Sequence, residues 1–180
     1  MRDNFNRANG ANGTSWSGYS TAFAISSNQL DVVSSGLNTY ILWNSSSFGA
    51  DQEAYVTFTQ IDTTSNEQRL ILKSQSSKSS SSGLISILYD GAGHNVQVWT
   101  YHPTQGWVQY GTNIPVTFAN GDQFGARARP DGTVEIYQNG TLLATRNITA
   151  WPYYANGGYI GLWFVNAPAA LLDNFGGGTR

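Results

Sequence analysis

From Thr21 to Phe175 the chain consists of short runs in which apolar and polar residues alternate, broken by turn signals about every ten residues. Alternation with a period of two is the mark of a strand buried on one face, and helical spacing is hard to find anywhere. The clearest runs are "EAYVTFTQ", "QRLILKS", "GLISILYD", "NVQVWTY", "QFGARAR", "TVEIYQ" and "GYIGLWFV", with "TAFAISSNQLDVV" read as one long strand. Asn139-Gly140 separates two β-rich runs and predicts a two-residue type I′ hairpin. The low-complexity segment "QSSKSSSSG", Gln75 to Gly83, reads as a solvated loop. Neither a repeat nor a linker divides the 180 residues, so one domain over 1–180 is expected.

About a dozen strands without helices form two antiparallel sheets packed as a sandwich or one closed barrel, and the pattern alone leaves both open. It does give an inside and an outside. Val56, Phe58, Val96, Val98, Phe124, Ala126, Ala128, Val134, Ile136, Ile160, Leu162 and Phe164 turn inward. Outward turn Glu53, Tyr55 and Thr57 on one strand, Gln97, Trp99 and Tyr101 on another, and Arg127 with Arg129 on a third. Glu135 and Tyr137 follow, then Tyr159, Gly161 and Trp163. Aromatic planes beside Arg, Glu and Gln suit a sugar, whose C–H faces lie on rings while its hydroxyls take bidentate hydrogen bonds. The expected ligand set is therefore Trp99, Tyr101, Trp163, Arg127, Gln97, Glu53, Tyr55 and Trp43. Trp43 is included as a groove rim, with Trp107, Trp151, Tyr153 and Tyr154 near strand ends or in loops, whereas Trp16 belongs in the core. The competing reading is that these aromatics pair across strands and serve packing.

Charged residues make up 11% and the net charge is −2, so the basic footprint of a nucleic-acid binder is missing. With no cysteine, disulfides, thiolate metal sites and cysteine nucleophiles are excluded together. No apolar run approaches the ~20 residues that span a bilayer as a helix, so no membrane insertion is expected. Met1 is the only methionine and directly precedes a domain edge, which reads as a start added to a module excised from a larger protein.

"DNFNRANGANGTSW", "DQEAYVTF", "VEIYQNGTLLAT" and "GGYIGLWFVNAPAALLDNF", in that order, resemble the concanavalin A-like lectin/glucanase superfamily, and within it the LamG-like bacterial branch. The resemblance spans nearly the whole chain. It implies an all-β, two-sheet antiparallel jelly-roll β-sandwich whose first and last strands are neighbours, with ligand on the concave sheet. It also implies that some members hold a structural calcium ion near the termini, for which Asp3 and Asp173 are suitable oxygen donors. The glucanase branch carries a Glu-x-Asp-x-x-Glu type of strand motif, and here Asp51-Gln52-Glu53 has no third acid on the same face. The lyase branch uses a Tyr or His base beside Arg. Tyr89, Tyr101, His94, His102, Arg127 and Arg129 are present, but the branch's Gln-Ile-His triplet is not.

The expectation is a non-catalytic carbohydrate-binding module of an extracellular or cell-surface protein, with a polysaccharide or glycan as partner. A structural or adhesion domain that binds protein in a surface or phage assembly is the alternative, and a polysaccharide lyase or glycoside hydrolase the third reading. Asp3-Asn4-Phe5 and Asp173-Asn174-Phe175 repeat one tripeptide at the two ends, where Phe5 and Phe175 are expected to close the core.

Overall fold

A computed structural model describes residues 1–34 and 36–180. In chain order the strands are β1 (Gly10–Ala11), β2 (Trp16–Gly18), β3 (Phe23–Ser26), β4 (Gln29–Val32), β5 (Tyr40–Trp43) and β6 (Gln52–Gln60). Next come β7 (Glu67–Ser74), β8 (Leu84–Asp90), β9 (Asn95–His102), β10 (Gly106–Gln109) and β11 (Ile114–Pro115). The last are β12 (Gln123–Ala128), β13 (Thr133–Gln138), β14 (Thr141–Asn147), β15 (Tyr159–Val165) and β16 (Leu171–Thr179). The run read as one long strand is a hairpin, β3 and β4, because Ser27 and Asn28 both take positive φ (51° and 62°) and turn the chain. Asn139-Gly140 makes the expected turn, with φ of 52° and 75°.

Two antiparallel sheets result. Sheet I has the order β1-β3-β4-β16-β6-β12-β13-β14, and sheet II the order β10-β9-β8-β7-β15-β5-β2, with β11 beside β9. Successive strands often change sheet: β6 is in sheet I and β7 in sheet II, and β15 and β16 repeat the exchange. Every residue that alternation turned inward lies in the one buried cluster between the sheets, together with Trp16, Phe5 and Phe175.

The alternation fails at Lys73. Its φ is 47°, and the register of β7 against β15 shifts between Tyr159 and Gly161. This local bulge sends the Lys73 side chain inward, where it is fully buried. Its ammonium donates to the backbone carbonyl oxygens of Arg129 (3.0 Å) and Tyr154, while its displaced backbone N–H donates to Gln52 Oε1 at 2.6 Å. Burial lowers the Lys73 pKa to about 8.

The two ends meet, but through an isolated bridge and not as neighbouring strands, since β1 pairs with β3 and β16 lies between β4 and β6. Asp3 bridges Phe175, whose carbonyl oxygen accepts from the backbone N–H groups of Arg2 (2.8 Å) and Asp3 (3.1 Å). Phe5 and Phe175 both pack on Trp16, at ring-centroid distances of 6.1 and 4.9 Å. The repeated tripeptide thus marks where the sandwich is sealed.

Candidate functional site

The topology divides the expected ligand set. Gln97, Trp99, Tyr101 and Trp163 lie on the outer face of sheet II, whereas Glu53, Tyr55 and Arg127 lie on the outer face of sheet I, with the whole core between them. They do not form one site. Trp43 joins neither group. It has the parity of Ile41, packs inward and meets Trp16 edge-on at 5.5 Å. Trp151 is also in the core, fully buried, with its indole N–H donated to the Tyr101 carbonyl oxygen at 2.9 Å.

On sheet II the outward side chains build a groove of about 410 Å³. β7 places Arg69 beside Trp163 of β15 and Leu88 of β8. Trp107 of β10 comes within 6.0 Å of Trp163, although β10 and β15 are four strand spacings apart, roughly 19 Å in a flat sheet. Both indoles therefore lean over the intervening strands until they touch. The Arg69 guanidinium packs against both rings, 5.3 Å from the Trp107 centroid and 4.8 Å from that of Trp163. It donates to Glu67 Oε2 at 2.5 Å, and its Nε has no protein partner among the described residues. Burial lowers the Arg69 pKa and Glu67 opposes that shift.

Along β9 a chain of hydrogen bonds fixes the other wall. Trp99 donates from its indole N–H to Gln97 Oε1 (2.9 Å), Gln97 Nε2 donates to Asn95 Oδ1 (3.0 Å), and Asn95 Nδ2 donates to Asp90 Oδ2 (3.3 Å). Trp99 is half-buried and Trp107 is 40% exposed, so both offer ring surface to a ligand. Trp163 does not. It is 9% exposed, packed against Tyr40 (5.4 Å) and Arg69, and its indole N–H donates to the Leu37 carbonyl oxygen at 2.9 Å. Trp163 is a clamp for Arg69, not a stacking platform. Arg69 and Glu67 were missing from the expected set, though they follow the same parity rule as Trp99: with Gln68, Leu70 and Leu72 inward, 67, 69 and 71 face out.

On sheet I the ionic groups are paired. Arg127 donates to both oxygens of Asp51 (2.8 and 2.6 Å), and its hydrogen bond is the main cause holding the Asp51 pKa below its usual range. Glu53 pairs with Arg180 at 3.0 Å and Glu135 with Arg129 at 2.8 Å. The two carboxylates of Asp51-Gln52-Glu53 are thus each occupied by a guanidinium.

Asp3 and Asp173, the oxygen donors expected for calcium, both accept hydrogen bonds from the protein. The Asp3 carboxylate accepts from Arg7 (2.7 Å), the Trp16 indole (2.9 Å) and the Phe5 amide (2.8 Å). Burial opposes its ionisation, yet these donors together leave its pKa lowered. Asp173 accepts from the Asn174 amide at 2.7 Å. A cation here would have to displace a guanidinium, and among the described residues no three His, Asp or Glu side chains cluster to hold a metal.

No protein-family model and no curated protein sequence matches the chain. Solved structures do. A Bacillus subtilis carbohydrate-binding module, CBM66, superposes with a TM-score of 0.72 at 17% identity, covering 93% of this chain and 98% of that one. A Bacillus licheniformis β-glucanase gives 0.62 at 15% identity, covering 99% and 96%. An alginate lyase mutant in complex with an alginate tetrasaccharide gives 0.59 at 16%, covering 99% and 95%. At such identities the likeness concerns the fold alone: the protein is a two-sheet antiparallel jelly-roll β-sandwich with the concanavalin A-like fold.

Proposed function

We propose that this protein is a non-catalytic, LamG-like carbohydrate-binding module of an extracellular or cell-surface protein, and that a polysaccharide lies in the groove of sheet II. One observation carries the reading: two accessible indoles, Trp99 and Trp107, stand in a single groove with the polar groups of Gln97, Glu67, Asp90 and Arg69. A sugar ring would stack on an indole while its hydroxyls meet the amide, the carboxylates and the guanidinium. These polar groups are already held by one another, so little side-chain freedom is lost when a ligand arrives. The carbohydrate-binding module and the polysaccharide-acting enzymes of the same fold support the ligand class by analogy. Asp51 and Glu53 are each tied to an arginine, as is Glu67 in the groove, which supports the non-catalytic reading.

A glycan array followed by calorimetry tests this. Trp99→Ala and Trp107→Ala should each weaken binding about three- to tenfold, the equivalent of roughly 0.5–1.5 kcal/mol per stacked ring. Silence across neutral and acidic polysaccharides would sink the proposal. Unsaturated products released from a uronate polymer would make the protein a lyase instead.

A further inference from the structure

The outer face of sheet I carries an opening that the groove does not account for. The outward positions of β12 are Gln123, Gly125 and Arg127, and Gly125 faces Tyr55 of β6 on one side and Tyr137 of β13 on the other. Glycine inside a strand weakens it, and it usually marks a bulge, a close approach of another backbone, a need for positive φ, or the approach of a ligand. Three of these do not apply. The register of β12 runs unshifted from Gly125 to Ala128 against both neighbours, and Gly125 is not among the positive-φ glycines. A Cβ there would make only ordinary contacts, 3.6 Å to Tyr137 Cβ and 3.7 Å to Tyr55 Cβ. Ligand approach remains.

The neighbours keep the space open. Tyr55 leans away over Gly176 of β16, where any side chain would strike its ring. Tyr137 is drawn along its own strand by a 2.9 Å hydrogen bond from its hydroxyl to Glu135 Oε2. Among the described residues neither tyrosine stacks on another aromatic ring, in contrast to the interlocked aromatics of sheet II. The result is a slot of about 260 Å³, floored by the backbone of β6 and β12, with Glu53 and Arg127 beside the tyrosines. The slot is narrow at its floor, where the Tyr55 and Tyr137 β-carbons flank Gly125 closely, and it widens outward as the two side chains diverge, so a sugar would enter edge-on. The charges cancel pair by pair, Arg127 with Asp51, Arg129 with Glu135 and Arg180 with Glu53. Nothing there draws a charged ligand, while donors and acceptors remain for hydroxyl groups.

We propose that this slot is a second saccharide-binding site, for a neutral sugar ring, on the side of the sandwich opposite the groove. It shares the ligand class of the groove reading but stands on different residues. Two sites facing opposite ways would let one molecule bridge two polysaccharide chains.

Gly125→Val is the test. Valine favours strands and the contact distances admit it, so the variant should melt at or above the wild-type temperature while filling the slot. Wild type, Gly125→Val, and the groove double variant Trp99→Ala/Trp107→Ala are titrated with mixed-linkage β-glucan, levan, dextran and galactomannan, with alginate as the charged control. Calorimetric stoichiometry and light scattering are read together. Wild type should bind a neutral polymer at two sites and raise scattering by cross-linking. Gly125→Val should keep the groove affinity, lose the second site and stop scattering. Scattering by Gly125→Val equal to wild type, or loss of all binding in the groove variant, would overturn the slot and leave the groove standing. Loss of all binding in Gly125→Val with none lost in the groove variant would support the slot and remove the groove. Failure of wild type on every neutral polymer would refute the slot, and failure on alginate as well would refute both.

Discussion

Replacing Trp163 by alanine separates a clamp from a ligand platform. The indole is 9% exposed, touches Tyr40, Trp107 and Arg69, and donates a 2.9 Å hydrogen bond to Leu37. Truncating a buried Trp to Ala costs roughly 3–5 kcal/mol through lost transfer energy and the cavity left behind. The stacking of Arg69 on the ring, desolvated here, is worth up to about 2 kcal/mol and overlaps with that sum. An expected loss of about 4 kcal/mol converts, for a chain of this size, to a fall in melting temperature of roughly 8–16 °C. Thermal unfolding by circular dichroism, with Trp99→Ala beside it, is the assay. Trp99 is half-buried and gives up one part-buried side-chain hydrogen bond, so its loss should stay within about 1.5 kcal/mol, a few degrees. A Trp163→Ala protein that melts within about 3 °C of wild type would refute the clamp, because a ring whose removal costs under about 1 kcal/mol is not packed as described.

Three further outcomes are expected. Lys73 holds its proton up to pH 10.5 in the unfolded chain but only to about 8 in the folded one. The unfolded state therefore binds more protons between those values, and stability should rise with pH from 8 towards 10.5, by up to about 3 kcal/mol. Lys73→Met should lack this rise in denaturant titrations at pH 7.5 and 9.5, and equal slopes for the two proteins would count against it. Asp3, with its lowered pKa, contributes stability that is present above pH 3.8 and lost as pH falls through its folded value. Asp3→Asn should flatten acid melting in that window, and at neutral pH it should cost about 1–3 kcal/mol by leaving Arg7 without its counter-charge. Finally, since Asp3 is fully engaged by protein donors, neither calcium nor a chelator should move the melting temperature through this pair of aspartates. A calcium-dependent rise abolished by Asp3→Asn would contradict that.

Much of the architecture was open to reading in the sequence because side-chain alternation is a local property. Val96 and Val98, or Ile160 and Leu162, turn inward simply because their neighbours along the strand turn outward, and the structure buries all of them in one core. Turns followed from residues that tolerate positive φ, as at Asn139-Gly140, and the one missed turn, Ser27-Asn28, obeys the same chemistry. That the two ends meet came from the resemblance to a jelly roll, since no local signal pairs residues so far apart, and the structure makes the contact through Asp3 and Phe175.

The sites were another matter. Parity assigns a residue to the outside without naming which outside, and Arg127 and Trp99 have the same parity on strands of different sheets. Sheet membership is settled by long-range pairing: β6 and β7 are consecutive but separate, so Glu53 and Arg69 end on opposite faces of the sandwich. The αL backbone at Lys73 reverses the parity of a charged side chain without any turn signal. Trp43 and Trp163 were both expected to meet ligand, yet tertiary packing turned one into the core and enclosed the other. Strands, turns and the apolar lining each depend on neighbours a few residues away and are legible in the chain. Which outward residues share a face depends on hydrogen-bonded partners brought together from across the chain, and that emerges with the folded sheets.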